Sequence, residues 1–155
     1  METQGVSRLG GLVSCILVCL VVFLGGCVGP RKVSDKDIET IDLATVSALL
    51  DKQAAEPEKR RILLIDARSE QSFQQAHLPG ARNLLLSQVN PDLGRDPAIA
   101  SYDTIAVYGD NPASAPARAM VKRLMRMRYK GVRFFDMGLD GWSRAGLPVE
   151  RPGAN

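Results

Sequence analysis

The chain carries one histidine and three cysteines, and Cys15, Cys19 and Cys27 all precede residue 28. Residues 28–155 therefore offer no thiol for a disulfide, a thiolate metal site or a cysteine nucleophile. With His77 alone, a multi-histidine metal centre is excluded, and a Ser-His-Asp triad would have to be assembled on that one ring. What remains for chemistry is a short set. Asp66 and Arg68 flank a single alanine, and His77 precedes Leu78-Pro79-Gly80. The run Gly109-Asp110-Asn111-Pro112-Ala113-Ser114-Ala115-Pro116 gathers small, polar and ring-constrained residues just before Arg118. Each has a reading without catalysis: Asp66 and Arg68 as a structural ion pair, His77 as a turn residue with its hydrogen bond satisfied, Ser114 as a helix N-cap.

Charge excludes some partners. The formal net charge is +3, and residues 1–26 hold one acid, Glu2, and one base, Arg8, so the remainder keeps the same value. That is too mild for a nucleic-acid binder. One local excess stands out: Arg118, Lys122, Arg123, Arg126, Arg128, Lys130 and Arg133 follow one another with no acid before Asp136. Arg118, Lys122 and Arg126 recur every four residues and share a helix face, read first as a solvated outer surface and otherwise as one turned toward anionic lipid or an acidic partner.

The N-terminus reads as an address. Eighteen uncharged residues run from Leu9 to Gly26 after a short polar stretch with Arg8, as in a secretory signal. Leu24-Gly25-Gly26-Cys27 then resembles a bacterial lipobox, which predicts cleavage before Cys27 and lipidation of its thiol. The alternative is a single-pass signal anchor. Either places the remainder outside the cytoplasm, beside a membrane. The expected organisation is a signal peptide over 1–26, an anchor and tether over 27–36, one domain over 37–150 and a tail over 151–155.

The domain must supply the elements that position those candidate residues. Ile38 to Ile41 predicts a short first strand and Leu43 to Gln53 a helix with Leu43, Val46, Leu49 and Leu50 on one face. Ile62-Leu63-Leu64-Ile65-Asp66 and Thr104-Ile105-Ala106-Val107-Tyr108 are apolar runs of the kind buried on both sides of a parallel sheet. Ala81 to Leu85 is a weaker strand, Val132 to Phe135 the last, and Glu70 to Gln75 a helical turn. From Ser114 to Met127 an inward stripe of Ala117, Met120, Val121, Leu124 and Met127 predicts a helix. Strands alternating with helices imply an α/β domain with a central, mostly parallel five-stranded sheet flanked by helices. Ligands in such sheets sit at the C-terminal strand ends, which is where the 109–116 loop falls.

Three blocks in this order resemble the rhodanese domain, the fold shared by sulfurtransferases and one group of dual-specificity phosphatases. They are Asp66-Ala67-Arg68 with Phe73 and His77-Leu78-Pro79-Gly80-Ala81-Arg82-Asn83; Ile105-Ala106-Val107-Tyr108 entering a loop and helix; and Gly138-Leu139-Asp140-Gly141-Trp142 followed by Gly146-Leu147-Pro148-Val149-Glu150. The resemblance implies a persulfide-forming cysteine directly after the strand ending Val-Tyr. Here that position is Gly109. It also implies a loop whose amides, with a helix N-terminus, hold an anion without needing the thiol. The candidate ligand-binding residues are then Gly109, Asp110, Asn111, Ala113, Ser114, Ala115 and Arg118, supported by Asp66, Arg68 and His77, with no metal and no cofactor. The expected function is a membrane-tethered, non-catalytic module that binds a protein partner or a small anion. The competing expectations are sulfur transfer with a cysteine from a partner, and a structural envelope protein.

Overall fold

A computed structural model describes residues 32–151. The signal peptide, the lipobox with Cys27 and the last four residues lie outside that range.

Two pentads make the centre of the sheet. β1 (Ile62–Asp66) and β3 (Thr104–Tyr108) pair in parallel, with Ile62 opposite Thr104 and Asp66 opposite Tyr108. Every residue of β1 is buried, as its unbroken apolar run requires. β2 (Arg82–Asn83) lies beside β1 and β4 (Val132–Phe135) beside β3, giving a four-stranded parallel sheet in the order β2-β1-β3-β4.

The alternation of side chains divides the core in two. Leu63, Ile65, Ile105 and Val107 face α4 (Ala115–Arg126), which buries Ala117, Met120, Val121 and Leu124 completely. Leu64, Ala106, Tyr108 and Phe135 face the other way, packing with Val46 of α1 (Leu43–Ala55) and Trp142 of α5 (Gly138–Arg144). α1 begins on Asp42, whose carboxylate accepts from the Thr45 N–H at 2.8 Å. α2 (Glu70–Gln75) is capped by Ser69 in the same way, at 3.2 Å from the Ser72 N–H. Between β2 and β3 the chain makes two 3-10 turns, at Leu86–Gln88 and Pro91–Leu93, and the short α3 (Pro97–Ala100).

The expected five-stranded sheet is corrected to four. Ile38 to Ile41 contributes one parallel bridge, Thr40 to Phe134, through Phe134 N–H to Glu39 O at 2.8 Å and Ile41 N–H to Phe134 O at 3.0 Å. Only Thr40 is tied to the sheet, through the Glu39 carbonyl and the Ile41 N–H that flank it, so the segment adds a single bridge on the outer side of β4 and no ladder.

Candidate functional site

The polar centre sits at the C-terminal ends of β1 and β3. Asp66, the last residue of β1, has no solvent exposure, and Arg68 is 7% exposed. Arg68 Nε lies 3.0 Å from Asp66 Oδ1 and Nη2 lies 2.7 Å from Oδ2, a two-pronged ion pair; the Arg68 backbone N–H adds a bond of 2.9 Å to Oδ1. Nη2 also donates to Ala76 O at 2.7 Å. Burial works against the charge on Arg68, but hydrogen bonds and attraction from Asp66 outweigh it and hold the guanidinium above its ordinary pKa. Asn83 pins the turn by donating to Asp66 O at 3.0 Å and Arg68 O at 2.9 Å. Beside this pair, burial and the Asp66 charge push the Tyr108 phenol well above its usual range, so it stays a neutral hydroxyl that accepts from the Leu78 N–H at 3.1 Å. These contacts make Asp66 and Arg68 a structural pair.

One prong of Arg68 is left to face outward. Nη1 meets Asp110 Oδ1 at 3.3 Å across a small cleft of about 330 Å³, lined by Arg68, Ser69, Ser72, Asp110, Asn111 and Ser114. Asp110 itself is 59% exposed, so this contact closes the mouth of the cleft weakly.

The loop is held from behind by α5. Gly109 O accepts from the Leu139 N–H at 3.0 Å and Asp110 O from the Asp140 N–H at 2.9 Å. That approach requires Gly138: its φ is +58°, and a Cβ there would lie 2.5 Å from both carbonyl oxygens. Part of the loop's N–H supply is missing or spent. Pro112 and Pro116 have none, Ala113 N–H donates to Asn111 Oδ1 at 3.0 Å, and Ser114 N–H donates to Asn111 O at 3.1 Å. A free anion entering the cleft therefore meets a carboxylate at the rim.

Gly109 is buried under this loop. A Cβ placed on it would lie 2.0 Å from Ser114 Oγ and 2.5 Å from Ser114 Cβ. Rotating the hydroxyl would relieve only the first contact, because the second involves an atom fixed to the backbone. Ser114 occupies the N-cap position of α4, yet its side chain makes no capping hydrogen bond.

Of the residues singled out in the sequence, Asp110, Asn111, Ala113 and Ser114 line the cleft with Arg68, while Gly109 lies beneath it and Asp66 behind Arg68. Ala115 and Arg118 do not line it. Arg118 Nε donates to Pro112 O at 3.1 Å and its guanidinium lies 5.0 Å from the centre of the Phe134 ring. His77 is also elsewhere: its ring stacks on Phe73 at 3.8 Å, Nδ1 meets Phe73 O at 2.9 Å and Nε2 meets Glu150 at 3.3 Å. Ser69 and Ser72 were missed as cleft residues, although the N-cap pattern at the head of α2 was a usable signal. Among the described residues no group of three or more His, Cys, Asp or Glu could hold a metal ion, and no helix is long and apolar enough to cross a membrane.

Comparisons with known proteins agree on the fold. Residues 45–145 match the model of the rhodanese-like domain, while no curated protein matches. Among solved structures, the BH2092 protein from Bacillus halodurans is similar at a TM-score of 0.61 and 21% identity, over 75% of this chain and 79% of that one. A thiosulfate sulfurtransferase from Pseudomonas aeruginosa follows at 0.57 and 18%, over 75% of this chain; the match spans 21% of that protein. A protein of unknown function from Rhodopseudomonas palustris, described as a possible tyrosine phosphatase, is similar at 0.56 and 18%, over 78% of this chain and 98% of that one. Identities this low carry the architecture alone. With well over half of its length inside the matched span, and with the parallel sheet and the loop after β3 in place, the chain belongs to the rhodanese-like domain family.

Proposed function

We propose that this protein is a membrane-tethered rhodanese-like module that binds without catalysing, held by lipid on Cys27 and offering the 109–116 cleft to a partner protein. The observation that carries the reading is the relation of Gly109 to Ser114. Covalent sulfur or phosphoryl transfer on this fold needs a nucleophilic side chain at the base of the loop. Glycine supplies none, Ser114 leaves no room for one, and residues 28–155 contain no cysteine.

The cleft supports a neutral or basic partner group better than a small anion. Its lining hydroxyls on Ser69, Ser72 and Ser114 can donate and accept. Its one guanidinium is already shared between Asp66 and Asp110. An anion would have to displace the Asp110 carboxylate before gaining Arg68.

The full chain should give no thiosulfate-to-cyanide transfer and no aryl phosphate hydrolysis above the buffer rate. Turnover of either kind that persists after Cys15, Cys19 and Cys27 are changed to serine would overturn the non-catalytic reading. For the tether, mass spectrometry of protein from a bacterial host should find diacylated Cys27 at the mature N-terminus; an uncleaved or unmodified Cys27 contradicts it.

A further inference from the structure

A second concavity shares no lining residue with the loop cleft. It lies between α1 and the C-terminal segment, has a volume of about 520 Å³, and is mostly apolar. That size falls within the range of small-molecule sites, about 300–1,000 Å³.

Its two walls are built differently. On α1, Ser47, Leu50, Asp51 and Ala54 stand at i, i+3, i+4 and i+7 and so form one strip along the helix. Facing them are Pro79, Trp142, Leu147 and Pro148. This second wall is rigid. Proline fixes its own φ, and Trp142, 2% exposed, is locked by an Nε1–H bond of 2.7 Å to Pro148 O and by an edge contact of 6.3 Å to Phe135. The groove is thus preformed and carries an aromatic floor.

Polar groups are few and lie on one side. Gln53 at the edge is already spent, its Oε1 accepting from the Arg61 N–H at 2.8 Å and its amide nitrogen directed at Pro57 O at 3.3 Å. Ser47 and Asp51 have no hydrogen-bond or ion-pair partner among the described residues, and Asp51 is the one charged group in the lining. The pair sits one helical turn apart, so a single donor-bearing head can reach both.

From this arrangement we infer that the groove between α1 and Trp142 binds a small amphiphilic cation, an amine with an apolar aryl or alkyl body. The body lies against Leu50, Ala54, Leu147 and Trp142, and the ammonium donates to Asp51 and Ser47. Removing the apolar body from water drives entry, and the charge-assisted bond to Asp51 selects the cation over a neutral or anionic analogue.

Trp142 is the only tryptophan in the chain and lines this groove, so all tryptophan emission comes from a residue that an occupant would touch. Three probes of one shape separate the contributions: phenylbutylamine, phenylbutanol and phenylbutyrate, titrated into the full chain. The amine should give a saturable change in Trp142 emission with affinity about two- to fivefold above the alcohol, because Asp51 is solvent-exposed, and the carboxylate should be weakest. Asp51→Asn should bring the amine down to the level of the alcohol and leave the alcohol unchanged. Ala54→Phe, at a solvent-facing helix position, should fill the groove and abolish all three responses with the unfolding transition intact. No saturable response to the amine, an amine preference that survives Asp51→Asn, or binding that survives Ala54→Phe in a folded protein would each overturn the assignment.

Discussion

Arg68 grips Asp66 inside the protein with two nitrogens and reaches Asp110 outside with a third, the inner contacts at 2.7 and 3.0 Å and the outer one at 3.3 Å. The same guanidinium thus anchors the end of β1 and closes the cleft, and the two roles have different energies.

Removing the inner partner strands a buried charge. Arg68→Ala should cost about 3–5 kcal/mol of unfolding free energy, because it takes the counter-ion from the buried Asp66 carboxylate. Asp110→Ala, which removes only a half-exposed carboxylate, should cost about 0–1 kcal/mol. Denaturant titrations of the two variants check this; equal costs would place the structural role of Arg68 at the cleft instead.

Gly138 should be intolerant for two reasons that act together. Its φ of +58° disfavours any side chain, and a Cβ would press on the carbonyls of Gly109 and Asp110. Gly138→Ala should destabilise by about 2–3 kcal/mol and loosen the loop, visible as faster hydrogen exchange of the Leu139 and Asp140 amides that bond those carbonyls. Unchanged exchange would separate the loop from α5.

Glu56 couples the end of α1 to the start of β1. Hydrogen bonds from Lys59 and then Arg61 lower its pKa from 4.5 to about 2 in the folded state. A depressed carboxylate contributes stability above the unfolded value and loses it as pH falls toward the folded one. The melting temperature of the native protein should therefore exceed that of Glu56→Gln near neutral pH, with the difference shrinking between pH 4.5 and about 2. A difference that grows on acidification would contradict the pairing.

How much of this was legible in the sequence depends on whether the signal is local. β1 and β3 announce themselves as unbroken apolar pentads, and α4 as an inward stripe whose first four members are all fully buried. Asp66 and Arg68 could be paired on sight because they lie two residues apart on a strand end. The strand expected at Ile38 to Ile41 was reduced to one bridge because alternation over four residues says nothing of how many of them meet backbone partners on β4. Residues 86–100 carry no period, and their turns follow from Pro91, Pro97 and the side chains of Asn90 and Asp96. The cleft was only half legible. The contact of Arg68 with Asp110 joins residues 42 apart, and the turning of Ser114 toward Gly109 depends on how the loop folds back.

The packing of Ser114 over Gly109 is what removes the nucleophile's place, and a double-mutant cycle measures it. Gly109→Ala should cost about 1–3 kcal/mol, since its Cβ overlaps Ser114. Ser114→Gly alone should cost only a few tenths of a kcal/mol, because Ser114 makes no capping hydrogen bond that glycine would forfeit. In the Ser114→Gly background, Gly109→Ala should then lose most of its cost, giving a coupling of about 1 kcal/mol or more. Strict additivity, with Gly109→Ala as damaging in the Ser114→Gly background as beside the native serine, would show that Ser114 does not fill the place where a nucleophile would stand.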